Sequence, residues 1–145
     1  ITDRALVQKL YEASTAGVQI DLVVRGNCSL VTGVPRISDN IRINGIIDRY
    51  LEHPRIFIFA NGGEEKYYIG SADWMPRNRD SRIEVLTPVY YKAIQDELNK
   101  VVCYGLRDTA KGRFVNGSGE NKTREESGVP FRSQEELYKY YKESE

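Results

Sequence analysis

A chain of 145 residues is the size of one domain and can bury a sizeable core. Its 21 lysines and arginines balance 21 aspartates and glutamates, so nothing in the net charge favours nucleic acid or an anionic membrane, and any anion site must be local. No apolar run reaches the ~20 residues of a membrane span, no leader pattern appears, and Cys28 and Cys103 have no partners at metal-ligand spacing; these features point to a soluble, cytoplasmic protein with free thiols.

The first residue is Ile1, and Thr2-Asp3 has the character of a helix cap with no strand before it, so the expectation is a piece of a longer polypeptide. Asp3 to Ala16 reads as a helix with Leu6, Leu10 and Ala13 on one face, stopped by Gly17. Val18 to Val24 reads as a strand ending at Arg25-Gly26. Asn27 to Asn40 is rich in turn formers, interrupted by Leu30, Val31 and Val34, and ordered loops of that length are usually functional. Ile43, Ile46, Ile47, Tyr50 and Leu51 recur at helical spacing, with Ser38 or Asn44 as caps, which predicts a helix running into Glu52-His53 and ended by Pro54.

The stretch from Tyr50 to Trp74 holds the only histidine and the only tryptophan. Arg55 to Phe59 reads as a strand, Asn61-Gly62-Gly63 as a hairpin turn, and Lys66 to Ile69 as the returning strand. His53 then lies before the first strand and Gly70-Ser71-Ala72-Asp73 after the second, so both polar clusters fall at sheet edges, where sites form on open α/β sheets. Arg77, Arg79 and Arg82 follow on a polar loop, and Ile83 to Leu86 resembles a strand. Thr87-Pro88 has the form of a cap for the longest helix, whose face is Ile94, Leu98, Val101 and Val102, with Gly105 near its end. Thr109 to Gly128 reads as an exposed hairpin or loop. Ser133-Gln134-Glu135-Glu136 is a capping box that starts a short terminal helix, with Leu137, Tyr140 and Tyr141 on the side that docks on this domain or a partner. The fold class is α/β, a mixed β-sheet flanked by helices.

Dense negative charge on a phosphoryl group calls for guanidinium forks, backbone N–H groups and, in some sites, a histidine as acid, base or nucleophile. Arg25-Gly26 ends a strand; His53 and Arg55, two residues apart on an extended segment, share a face. Gly70-Ser71 adds a hydroxyl and a backbone donor, and Arg77, Arg79 and Arg82 could fold over a ligand. Each has a plainer explanation. A histidine before proline serves as a surface or capping group, Arg25 as a salt-bridged strand end, and the later arginines as a solvated loop balancing Asp80 and Glu84. Trp74 and Met75 read as packing.

The blocks IDLVVRGNCSL, GVPRISDNIRINGIIDRYLEHPRIFIFANGG and YYIGSADWMPRNRDSRIEVLTPV resemble the C-terminal catalytic domain of bacterial polyphosphate kinase, from about Ile1 to about Leu106. The resemblance implies reversible transfer of the terminal phosphate of ATP to inorganic polyphosphate through a phosphohistidine, in a tunnel between two domains of phospholipase D-like fold. It divides the chain into a phospholipase D-like half-domain over 1–108, its first strand missing, and an extension with a loop and short helix over 109–145. It puts Arg25 and His53 in the nucleotide site; His53 and Arg55 are taken as catalytic, and Ser71, Asp73, Arg77 and Arg82 join the nucleotide-binding set, the last three as second-rank candidates that orient these groups or track the anionic polymer. Arg55 takes the place of the lysine in the phospholipase D signature His-x-Lys, and Gly70-Ser71-x-Asp73 resembles its Gly-Ser-x-Asn half. Ala60 stands where that signature has aspartate, so phosphodiester hydrolysis by this half alone is not expected. No metal ligand is assigned, and magnesium would arrive with ATP or ADP. The implied partners are polyphosphate, ATP, upstream domains of the same polypeptide carrying the phosphorylated histidine, and further copies in a homo-oligomer, with no nucleic acid. The implied location is cytoplasmic, at most peripheral to the inner membrane, and the piece alone would be inactive. Two other readings stand beside this one: a non-catalytic module binding phosphate polymers, and a phospholipase D-like phosphodiesterase half completed by dimerisation.

Overall fold

Asp3 begins the first helix, α1 (Arg4–Thr15), by accepting a hydrogen bond from the Leu6 amide at 3.0 Å, and Gly17 ends it at φ +91°. The structure, a computed structural model, describes residues 1–116, 120, 122–124 and 128–143. After α1 come β1 (Ile20–Val24), β2 (Ile41–Ile46), β3 (Ile56–Phe59), a 3₁₀ turn over Asn61–Gly63 and β4 (Lys66–Gly70). They are followed by α2 (Pro76–Ser81), β5 (Leu86–Val89), α3 (Lys92–Arg107), β6 (Gly112–Phe114) and α4 (Ser133–Glu143).

The strands form two three-stranded sheets, ordered β1-β2-β6 and β3-β4-β5, where one mixed sheet was expected. The first sheet is mixed, with β1 and β2 parallel and β6 antiparallel to β2; the second is antiparallel throughout. Helix α3 touches strands of both. Leu30, Ile41 and Ile43 are the buried centre of the core, packed by Val7, Leu10 and Tyr11 of α1 and by Ile20, Leu22 and Val24 of β1. Leu30 comes from the long loop, which Tyr11 also holds: its hydroxyl accepts the Val31 N–H at 2.8 Å.

Four local expectations are corrected. The helix expected over Ile43 to Leu51 is instead strand β2 followed by irregular chain, because Ile41 and Ile43 project toward α1 while Asn44 is buried on the opposite side. Asn44 Nδ2 donates to the carbonyls of Gly105 at 2.7 Å and Asp108 at 3.2 Å at the end of α3, where carbonyls run out of helical partners; the Gly105 carbonyl also accepts the Asp108 N–H. A buried polar residue at that position disguises the strand's period. The arginine loop is helix α2, with Pro76 in its first turn. Thr87-Pro88 lies inside β5, and α3 starts only at Lys92 after Tyr91; β5 pairs with β4 alone, so the missing Pro88 amide falls on a sheet edge.

The fourth correction concerns the start of α4. Ser133 does not close a capping box; its N–H and Oγ donate to Asp108 Oδ2 at 2.7 and 2.6 Å. Asp108 Oδ1 accepts the Lys111 and Gly112 amides at 2.7 and 3.0 Å, and the residue is fully buried. Gly112 is forced here, because a Cβ would lie 2.0 Å from the Asp108 carbonyl oxygen. The hairpin or loop expected over Thr109 to Gly128 contains β6 and an Arg113–Thr123 bridge; residues 117–119, 121 and 125–127 of it lie outside the described residues. Helix α4 docks on α3, with Tyr140 donating to Glu97 at 2.8 Å and Lys100 lying 3.3 Å from the Tyr140 ring centroid.

Asp108→Ala removes the shared acceptor of four buried donors. The chain is expected to lose about 3 kcal/mol of unfolding free energy, measured by urea denaturation; a loss below about 1 kcal/mol would remove this carboxylate from its place as the joint of the fold.

Candidate functional site

Strand directions bring the site residues to one region. Parallel strands β1 and β2 leave the first sheet at the same edge, so Arg25 and the segment Ile47–Glu52 emerge together. In the antiparallel hairpin Ile56 pairs with Ile69, which brings the start of β3 beside the end of β4, and the Gly70 amide donates to the Arg55 carbonyl at 3.0 Å. Asp73 follows three residues later. Its segment is fixed by Trp74, whose ring stacks on Phe57 at 5.5 Å and whose carbonyl accepts the Thr2 and Asp3 amides.

Asp73 Oδ1 lies 3.1 Å from His53 Nε2 and 3.2 Å from Arg55 Nη2, and Arg55 Nε donates to it at 3.3 Å. Arg55 Nη2 is also 2.8 Å from His53 Nε2, and its Nη1 donates to the His53 carbonyl at 3.3 Å. One ring nitrogen therefore faces both a donor and an acceptor. A proton on Nε2 is donated to Asp73, and without it the lone pair accepts from Arg55, so the cluster accommodates both states. Among the described residues nothing bonds His53 Nδ1, and the side chain is 46% exposed. Burial pushes the Asp73 carboxyl up, but the His53 hydrogen bond and the Arg55 charge outweigh it and hold the group below its ordinary 3.8.

Arg25 Nη1 donates to the carbonyl of Glu52, next to His53, at 3.0 Å. Among the described residues this is its one hydrogen bond, and no carboxylate neutralises it. The rest of an exposed fork at a strand end is thus open to an anion. Arg55 differs, since its donors are taken by Asp73 and His53.

The remaining sequence candidates are more dispersed. Ser71 does not bond this cluster: its hydroxyl donates to Glu84 and accepts the Val85 amide at 3.0 Å. Hydrogen bonds from Ser71 and Asn78 hold the Glu84 carboxyl below its usual range, aided by the charges of Arg82 and Arg55. Arg82 and Asp73 border one open cavity of about 370 Å³ together with Asn78, Arg79 and Glu84. Arg77 is exposed on α2 with no hydrogen bond or ion pair among the described residues, whereas Arg79 turns away to Asp3 at 3.2 Å. Sequence reasoning missed Glu84, Asn78 and the Glu52 carbonyl. Only for Glu84 was there a signal, as one of two carboxylates, with Asp80, that balance the run of arginines.

A family model described as polyphosphate kinase C-terminal domain 2 matches residues 1–134. The polyphosphate kinase of Halalkalibacterium halodurans is 44% identical over 136 residues, covering 92% of this chain and 19% of the relative. That of Escherichia coli is 46% identical over 122 residues, covering 84% and 18%. A crystal structure of polyphosphate kinase from Porphyromonas gingivalis, 42% identical, matches with a TM-score of 0.94 over 99% of this chain and 22% of that one. The chain thus spans about a fifth of the length of the relatives it matches.

Because the Asp73 carboxyl is depressed in the fold, its contribution is complete above the ordinary value of 3.8 and is lost as pH falls through the lower folded value. The stability gap between the parent chain and Asp73→Asn is expected to hold steady between about pH 7 and pH 5 and to shrink below about pH 4, followed by urea denaturation across pH. A gap that widened on acidification would contradict the ion cluster.

Proposed function

The chain belongs to the polyphosphate kinase C-terminal domain family, and on that premise we propose that it supplies one wall of a site that moves the terminal phosphate of ATP reversibly onto inorganic polyphosphate. The observation that carries this reading is the uncompensated Arg25 fork lying one residue from the His53–Asp73–Arg55 cluster.

Arg25 binds phosphate oxygens of ATP or ADP and stabilises the charge that builds on the transferring group, where positioning and electrostatics do most of the catalysis. His53 holds or relays a proton, with Nε2 fixed between Asp73 and Arg55 and Nδ1 turned to the nucleotide. Arg55 keeps a positive charge beside the imidazole and orients it, and Asp73 orients both. Arg77 and Arg82 track the anionic polymer. Ser71 acts at second hand, its hydroxyl holding Glu84 beside Arg82.

The family resemblance puts the phosphohistidine in upstream domains of the same polypeptide, and leaves the single histidine of this chain, His53, to the nucleotide site. Magnesium travels with the nucleotide phosphates, whose oxygens and bound water are its main ligands. The complete protein acts as a homo-oligomer in the cytoplasm, at most peripheral to the inner membrane. Among the described residues no helix is long and apolar enough to cross a membrane.

In the complete polypeptide, Arg25→Ala is expected to lower kcat/KM for ATP by about tenfold to a hundredfold, the loss of one charged hydrogen-bonding group of roughly 1.5 to 3 kcal/mol. Phosphate transfer to polyphosphate measures it. A loss under about threefold would reduce Arg25 to a surface contact, and full activity of His53→Ala would overturn the reading.

A further inference from the structure

The segment Asp48–Glu52 belongs to no helix or strand, yet it presents the Glu52 carbonyl to Arg25 and runs directly into His53. What fixes it comes from the other end of the chain. Gln134, in the first turn of α4, accepts the Tyr50 N–H on Oε1 at 3.0 Å. Its Nε2 donates to the Tyr50 carbonyl at 2.8 Å and to Glu52 Oε2 at 2.9 Å. The side-chain amide thus pairs with both backbone groups of one residue, as a neighbouring strand would, where no strand is present. Gln134 is only 7% exposed, so little water competes for these bonds.

Arg132 adds a second tie, donating Nε and Nη2 to the two oxygens of the Asp48 carboxylate at 2.9 and 2.6 Å. The Asp48 side chain is 1% exposed, and the Arg132 bond holds its carboxyl below the usual range. The two ties differ in reach. Arg132 anchors the start of the segment, five residues before His53. Gln134 grips the backbone of Tyr50 and the side chain of Glu52, and so controls where the carbonyl bound by Arg25 sits.

We propose that Gln134 is a positioning residue for the phosphate transfer, acting through Tyr50 and Glu52 on Arg25 and His53. The family match, residues 1–134, includes it. The proposal rests on the functional reading above, in which Arg25 and His53 meet the nucleotide. Misplacement of such groups by about an ångström is enough to cost catalysis heavily.

The test uses the complete polypeptide with Gln134→Ala, Gln134→Glu and the exchange variant Glu52→Gln/Gln134→Glu. Gln134→Glu keeps the shape but sets carboxylate oxygens against both Glu52 and the Tyr50 carbonyl; the exchange variant restores a donor and an acceptor at the Glu52 contact alone and leaves the Tyr50 carbonyl without its donor. The single variants are expected to raise the KM for ATP about tenfold while the KM for polyphosphate in the reverse reaction stays within about twofold, and the exchange variant is expected to recover only the part carried by the Glu52 contact. Unchanged ATP kinetics in the single variants would overturn the proposal. So would losses that follow thermal stability and move both KM values together. Arg25→Ala and His53→Ala are measured alongside: if they too leave the transfer intact, it is the functional reading that fails, whereas their loss beside unaffected Gln134 variants defeats only the positioning role.

Discussion

A buried carboxylate is tolerated only where hydrogen bonds replace the water it has lost, and Asp108 satisfies that condition with four donors from two separate stretches of chain. The requirement shapes everything around it. One oxygen draws the turn after α3 tightly enough that only glycine fits at 112, and that turn launches β6 along β2. The other oxygen receives the first residue of α4 and so decides where that helix starts. Asn44 of β2 reaches the Asp108 carbonyl from the sheet side, closing the junction of strand, long helix and terminal helix. With α4 started at Ser133, Arg132 and Gln134 arrive opposite Asp48 and Tyr50.

The site owes its form to strand direction and to an uneven distribution of compensating charge. Parallel β1 and β2 deliver one cation, and the antiparallel β3–β4 hairpin delivers a histidine, an arginine and an aspartate. Two guanidiniums in this small region have different environments. Arg55 is matched by Asp73 and committed to holding the imidazole, while Arg25 bonds a neutral carbonyl and keeps its full charge. A cation left uncompensated at the mouth of a site attracts anions; one that is compensated organises its neighbours.

Much of this was legible in the sequence, where local chemistry and local structure agreed. The cap and glycine stop of α1, the Asn-Gly-Gly hairpin and the half-buried Leu98, Val101 and Val102 of α3 lie where their residues predict them, whereas Ile94 of that same face is exposed. Arg25, His53, Arg55 and Asp73 were identifiable because they fall at the ends of those elements. The failures occur where tertiary contact overrode pattern. Asn44 gives β2 a false helical period, because its amide serves the end of another helix. Pro88 reads as a helix-starting residue but sits in an edge strand, which tolerates a missing amide. The division into two sheets, and the link from Gln134 to Tyr50, depend on contacts between distant stretches that no local window contains.

That link spans 84 residues of sequence, and synthesis gives the span a direction in time. A chain emerging from the ribosome can pair β1 with β2 and close the β3–β4 hairpin early, since those contacts join neighbouring stretches. The loop before His53 has to wait for the start of α4, which is made 84 residues after Tyr50. The nascent chain therefore holds the Leu30, Ile41 and Ile43 core before the segment leading into His53 is fixed in place.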